Sequence, residues 1–172
     1  MKLLIPILIG LVMLGYASAN PIVKEGIGNS SKKETIAFPG AEGAGKFTKG
    51  GRGGDVHHVT TLKDSGPGSF REGIESINGP RTIVFDISGM IRLKNDVKIK
   101  GKSYLTIAGQ TAPGKGITFA DRSLKIEKCS HIIARYFRVR LGDENKPDGT
   151  SLDCITVNYS DHIILDHLSL SW

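Results

Sequence analysis

From residue 82 onward the chain alternates short apolar runs with polar turns, and no stretch carries the 3.6-residue period of an amphipathic helix. The clearest run is TIVFDI at residues 82–87, closed by Ser88 and Gly89. Three later segments share one layout: two apolar residues in alternation, a polar turn of four, then an apolar pair. They are VKIKGKSYLTIAGQ from Val97, LKIEKCSHIIARYF from Leu124 and ITVNYSDHIILDHL from Ile155. Val97, Leu124 and Ile155 correspond, as do Ile99, Ile126 and Val157, and then Leu105, Ile132 and Ile163. The starts lie 27 and 31 residues apart (124 − 97 and 155 − 124). No helix separates them, so they are not βαβ units. Short strands that return above themselves at this interval predict a solenoid, in which equivalent apolar positions stack into one internal column. The unequal spacing places the extra residues in outer loops at 110–116 and 142–150.

The preceding segment, residues 37–70, is too rich in glycine for a regular helix and predicts tight turns and close backbone packing. Within it, residues 56–60 form a strand candidate and Asp64-Ser65-Gly66-Pro67-Gly68 a turn. Ser69 and Glu72 give the S-x-x-E capping box. A short helix over 70–76 follows, with Ile74 and Ile77 on its apolar face. An end of a β stack exposes strand edges and must be covered; this helix is the natural N-terminal cap. No such cap follows Ser171 and Trp172, where the pattern stops part-way, and the expectation is that further C-terminal coils are missing from this chain.

The first residues change the picture of where the protein works. Lys2, an apolar run over 3–14 and Ala17-Ser18-Ala19 compose a signal peptide over 1–19. The run is shorter than the roughly 20 residues a membrane span needs. Secretion is expected, with no membrane attachment after cleavage, a flexible leader over 20–36, and one domain from 37 to 172. Loss of Lys2 lowers the formal charge from +6 to +5. A modest positive balance suits an acidic partner without proving one. Nothing points to nucleic acid, and the expectation is a monomer. Two cysteines, Cys129 and Cys154, are too few for a disulfide scaffold. They occupy different positions of the repeat, so their pairing stays open.

Gly40-Ala41-Glu42-Gly43-Ala44-Gly45-Lys46 imitates a phosphate-binding loop but is followed by Phe47 where a Ser or Thr should bind Mg²⁺, and no buried strand precedes it. A nucleotide site is not expected. The same stretch heads a series of motifs in fixed order: FPGAEGAGKFTKGGRGG, HVTTLKDSGPGSFREGI, RTIVFDISGMI, LTIAGQTAPG, IIARYFRVRLGD and IILDHLSLSW. Together they resemble the N-terminal portion of secreted pectate-lyase-like proteins, relatives of the polysaccharide lyases. The resemblance spans residues 37–172. It implies an all-β fold, a right-handed parallel β-helix of the pectin lyase-like kind, in agreement with the repeat.

The resemblance also implies calcium-dependent β-elimination on polygalacturonate. Such chemistry needs hard oxygen ligands for Ca²⁺, a cation to stabilise enolate-like charge and a base, an arginine in this family. Asp153, just ahead of a β run, matches the family's first calcium aspartate. On the residues alone the plainer reading is a solvated acidic loop with Asp143, Glu144 and Asp148, in which Asp153 satisfies a turn amide. Arg138 and Arg140 are two apart and share a strand face opposite Phe137, Val139 and Leu141. They are candidate clasps for uronate carboxylates; the plainer reading is a structural ladder to Asp166 or to the loop acids. Asp166-His167 reads as structural, fixing a turn and bonding neighbouring coils. His57 and His58 point to opposite faces and do not share a metal. The family's catalytic arginine falls beyond Trp172, and one carboxylate cannot hold a calcium ion, so this chain alone is expected to have little lyase activity. The alternative is a non-catalytic β-helix that binds or adheres to polysaccharide. A glycoside hydrolase or esterase would need paired carboxylates that are not identifiable here.

Overall fold

The computed structural model describes residues 34–143 and 152–171. The expected signal peptide, most of the expected leader, the loop acids Glu144 and Asp148, and Trp172 lie outside the described residues. Twelve strands are described: β1 (Asp55–Val59), β2 (Arg81–Phe85), β3 (Gly89–Arg92), β4 (Val97–Lys100), β5 (Ser103–Ala108), β6 (Ile117–Ala120), β7 (Leu124–Glu127), β8 (Ser130–Arg135), β9 (Phe137–Arg140), β10 (Ile155–Asn158), β11 (Asp161–Asp166) and β12 (Ser169–Ser171). One α-helix, α1 (Phe70–Glu75), and a 3₁₀ turn (Gly109–Thr111) complete the described elements.

Every strand pairing is parallel, and the strands sort into three sheets. One has the order β1-β2-β5-β8-β11, the second β3-β6-β9-β12, the third β4-β7-β10. Successive strands of one coil therefore belong to different sheets, and each pairs with its counterpart one coil away. The fold is the right-handed parallel β-helix, in the sense that crossovers between parallel strands adopt. The register confirms the repeat: Val97 pairs with Leu124 and Leu124 with Ile155. Ile99, Ile126 and Val157 align in the same way, as do Leu105, Ile132 and Ile163. The first two members of each column, with Ile91, Ile107, Phe119 and Val139, compose one continuous core; Ile155 and Ile163 pack against it half-buried, and Val157 is exposed. Alternation does the rest. In β4 and β9 the inward residues are buried and Lys98, Lys100 and Arg138 face out.

Helix α1 is the cap expected at the start of the stack. Ser69 Oγ accepts from the Glu72 amide at 3.1 Å. The reciprocal bond of the box is displaced by one residue, since Glu72 Oε2 accepts from the Gly68 amide at 2.7 Å while the Ser69 amide bonds Gly66. The helix is too short to persist alone and is held by packing. Phe70 is fully buried, with its ring 4.4 Å from Phe119 and 6.0 Å from Phe85 between centroids. Arg81 closes the other end, donating to the Gly73 carbonyl at 2.9 Å and to Ser76 Oγ at 2.7 Å while paired with Asp55. The cap thus tethers β1, β2 and the helix through one guanidinium.

The glycine-rich segment forms a strap across the outer face of the first sheet. A Cβ on Gly45 would lie 2.4 Å from the Ile163 carbonyl oxygen; on Gly51 it would lie 1.9 Å from that of Arg81. Only glycine permits such approaches. Thr48 Oγ1 donates to the His162 carbonyl at 2.8 Å, and the Gly51 amide to Thr106 Oγ1 at 2.9 Å. Beneath the strap Ala37, Ala41 and Phe38 pack on Ile133 and Ile164, the outward members of two apolar pairs. Residues 40–46 are turns of this strap.

Candidate functional site

The third sheet carries a charged outer face. By register its outward positions form two rows across the coils, Lys98–Lys125–Thr156 and Lys100–Glu127–Asn158. Asp153, two residues before β10, is exposed beside this face. It lines a shallow pocket of about 170 Å³ together with Ser123, Lys125, Glu127, Thr156 and Asn158. Lys125 is the ordered cation of the pocket: Asp96 Oδ2 holds its ammonium at 2.7 Å. That hydrogen bond, against a desolvation cost and helped by the charges of Asp96, Glu127 and Asp153, raises Lys125 above the usual lysine range. Asp96 shifts the other way. Burial pushes its carboxyl up, but the Lys125 hydrogen bond, the Ser123 amide and the charges of Lys125 and Lys98 outweigh this and leave it below the usual range.

Arg138 and Arg140 lie on the outer face of a different sheet, the second. Arg138 Nη1 donates to the Lys115 carbonyl at 2.8 Å. Arg140 donates to the Val139 and Ser169 carbonyls at 2.9 and 2.7 Å and to Ser169 Oγ at 2.8 Å, tying β9 to β12. Neither makes the ladder to Asp166. That partner belongs to Arg135, whose Nε reaches Asp166 Oδ2 at 2.6 Å and whose guanidinium lies 3.4 Å from the Phe38 ring centroid. Asp166 also holds His167 Nδ1 at 2.8 Å, and the imidazole stacks 4.4 Å from Tyr136 on the coil before. Asp166 and His167 therefore do join neighbouring coils. His57 contacts the Ser69 carbonyl and His58 contacts Asp86, so the two histidines share no ligand. Cys129 and Cys154 are free thiols bonded to backbone carbonyls.

The donor set at Asp153 does not by itself fit Ca²⁺. Asp153 and Glu127 are the only carboxylates lining the pocket, and an ammonium stands between coils there. Calcium takes six to eight oxygens. Among the described residues no three His, Cys, Asp or Glu side chains converge as metal ligands.

Comparison with known proteins is decisive for the family. Over 137 residues, 80% of this chain, the sequence is 41% identical to "Probable pectate lyase C" of Emericella nidulans. The chain is pectate-lyase-like. Proteins of the same name from Aspergillus terreus and Aspergillus fumigatus are 39% and 38% identical over the same length. The chain spans 31% of the length of these curated relatives. Among solved structures, that of Jun a 1, the major allergen from cedar pollen, superposes with a TM-score of 0.52 at 28% identity, over 59% of this chain and 29% of the allergen. No family model matches. The pectate-lyase-like assignment rests on the relatives and on the β-helix that the sequence repeat and the strand register both describe.

The sequence pattern singles out Asp153 as a candidate but not the Asp96–Lys125 pair at its side. The signal was present in the repeat: VKIK and LKIE both alternate lysine outward, so Lys98 and Lys125 had to stack on one face.

Proposed function

We propose that this chain is the N-terminal part of a secreted polysaccharide lyase acting on polygalacturonate, with the outer face of the third sheet as its substrate-facing surface. The observation that carries the reading is the stacked pair Lys98–Lys125, with Lys100 on the same face of β4 and Lys125 lining the pocket of Asp153, in a chain related to pectate lyases. A polyuronate presents regularly spaced carboxylates, and stacked strands present cations at a spacing of about 4.8 Å. Lysine there supplies point charges that attract the polymer without demanding one geometry. Asp153 would contribute one ligand to a calcium ion in the longer protein. The described residues supply too few oxygens to hold that ion, and turnover by this chain alone is expected to be slight. Arg138 and Arg140 would act as a secondary contact for carboxylates from the neighbouring sheet.

The test is binding of the purified chain to polygalacturonate, to fully methylated pectin and to a neutral glucan. Polygalacturonate should bind best, weaken with salt, and bind several-fold less tightly to a K98Q/K100Q/K125Q variant. Equal binding of the three polymers, or an unaffected triple variant, would remove the third sheet from the reading. Chelator-sensitive release of unsaturated uronates by the chain itself would contradict the proposed dependence on ligands outside it.

A further inference from the structure

Tyr159 is the most exposed large apolar side chain among the described residues, at 89%. It also has a positive φ of 49°. A tyrosine there spends free energy on a left-handed backbone and recovers none by burial, so the fold does not explain it. Its counterparts one and two coils earlier are Lys128 and Gly101, at the same corner between the third and first sheets and also at positive φ. Lys128 is exposed although β10 and β11 follow it in the stack. The corner therefore faces outward even where another coil covers the strands, and the exposure of Tyr159 belongs to the position.

The corner borders the charged face. Asn158, which lines the pocket with Asp153 and Lys125, immediately precedes Tyr159. The Asn158 carbonyl accepts from the Lys128 amide at 3.0 Å, and so the tyrosine and the Lys128 backbone belong to adjacent turns of one ladder. An aromatic ring free in solvent, with an ammonium one coil away and a polar pocket on the other side, suits a sugar acid: its apolar C–H face lies on the ring and its carboxylate turns to a lysine. Amphipathic tyrosines serve at binding surfaces in this way.

We infer that Tyr159 is a sugar-stacking residue, a platform at the edge of the third sheet that positions one uronate residue beside the pocket of Lys125 and Asp153. This rests on the proposed polyuronate-binding reading and adds to it a positioning residue.

The experiment measures binding of a galacturonic acid hexamer and of a neutral cellulose hexamer to the full chain, alongside thermal unfolding. In Tyr159→Gly the left-handed strain is relieved, so Tm should rise, while hexamer affinity falls roughly tenfold. Tyr159→Trp should keep affinity near that of wild type and show no rise in Tm. A merely structural tyrosine would lower Tm on replacement and leave affinity unchanged, and that result overturns the inference. If wild type binds the uronate hexamer and Tyr159→Gly binds it equally, the platform fails while the polyuronate reading stands. If wild type prefers the neutral hexamer and Tyr159→Gly loses it, the polyuronate reading fails and the platform stands. Binding of neither hexamer by wild type sinks both.

Discussion

Replacing Phe70 with alanine tests whether α1 is a cap or an ornament. The helix has six residues, far fewer than an isolated helix needs, so its existence depends on what Phe70, Ile74 and the Ser69 cap contribute. Phe70 is fully buried, and its ring contacts Phe119 and Phe85 at 4.4 and 6.0 Å, inside the range of favourable aromatic pairs. Truncation of a buried phenylalanine costs about 3–5 kcal/mol, transfer and cavity together. A single domain is stable by about 5–15 kcal/mol, so the loss removes roughly a fifth of the total or more. Phe70→Leu keeps most of the apolar volume and should cost less than half as much. Equilibrium denaturation by urea gives the difference, and hydrogen exchange locates it. The Gly73 and Ser76 amides, bonded to the Ser69 and Glu72 carbonyls, should lose protection first. A loss under about 1 kcal/mol by the same bookkeeping, with those amides still protected, would show that the stack does not rely on the helix for closure.

The strap and the ion pairs yield two further expectations. Gly51→Ala puts a Cβ 1.9 Å from the Arg81 carbonyl oxygen, a backbone atom that cannot swing away. The substitution should cost at least the roughly 1–3 kcal/mol of overpacking and expose the outer face of the first sheet to limited proteolysis; unchanged cleavage would refute the strap. Asp55, Asp96 and Asp166 all lie below the usual carboxylate range in the folded protein: Asp55 mainly through its Arg81 hydrogen bond, Asp96 and Asp166 because basic partners outweigh burial. Depressed folded values mean that the unfolded chain binds more protons in this window. The stabilisation is therefore complete above about pH 4 and is lost as pH falls through the folded values. Acid titration of stability should show this slope, shallower in Asp166→Asn; an identical slope in that variant would exclude Asp166.

Much of the architecture was legible before any coordinates. The correspondence of Val97, Leu124 and Ile155 was readable because stacked coils place like residues over like, so that register becomes periodicity. The helix start at Ser69 and Glu72 was readable because capping is local. The site was legible only in part. Asp153 stood out by its motif, whereas its neighbours Asp96 and Lys125 come from two other coils.

What the sequence by itself determined about this protein is the β-helix and its coil spacing, which follow from short-range alternation repeated along the chain, and a resemblance to pectate-lyase-like proteins, which rests on a series of motifs in fixed order. Tertiary structure alone decided that Arg135, and not Arg138 or Arg140, meets Asp166; alternation settles which face a side chain takes but not which partner lies within reach. It alone laid the glycine-rich strap across the first sheet, through contacts such as Thr48 to the His162 carbonyl, 114 residues apart. It also placed Tyr104, Lys128, His131 and Tyr136, each with a further coil stacked after it, in left-handed corners. Turn rules assign those corners to glycine or asparagine. Here the pairing of every coil with the next compensates the strain, a non-local energy that no window of sequence contains.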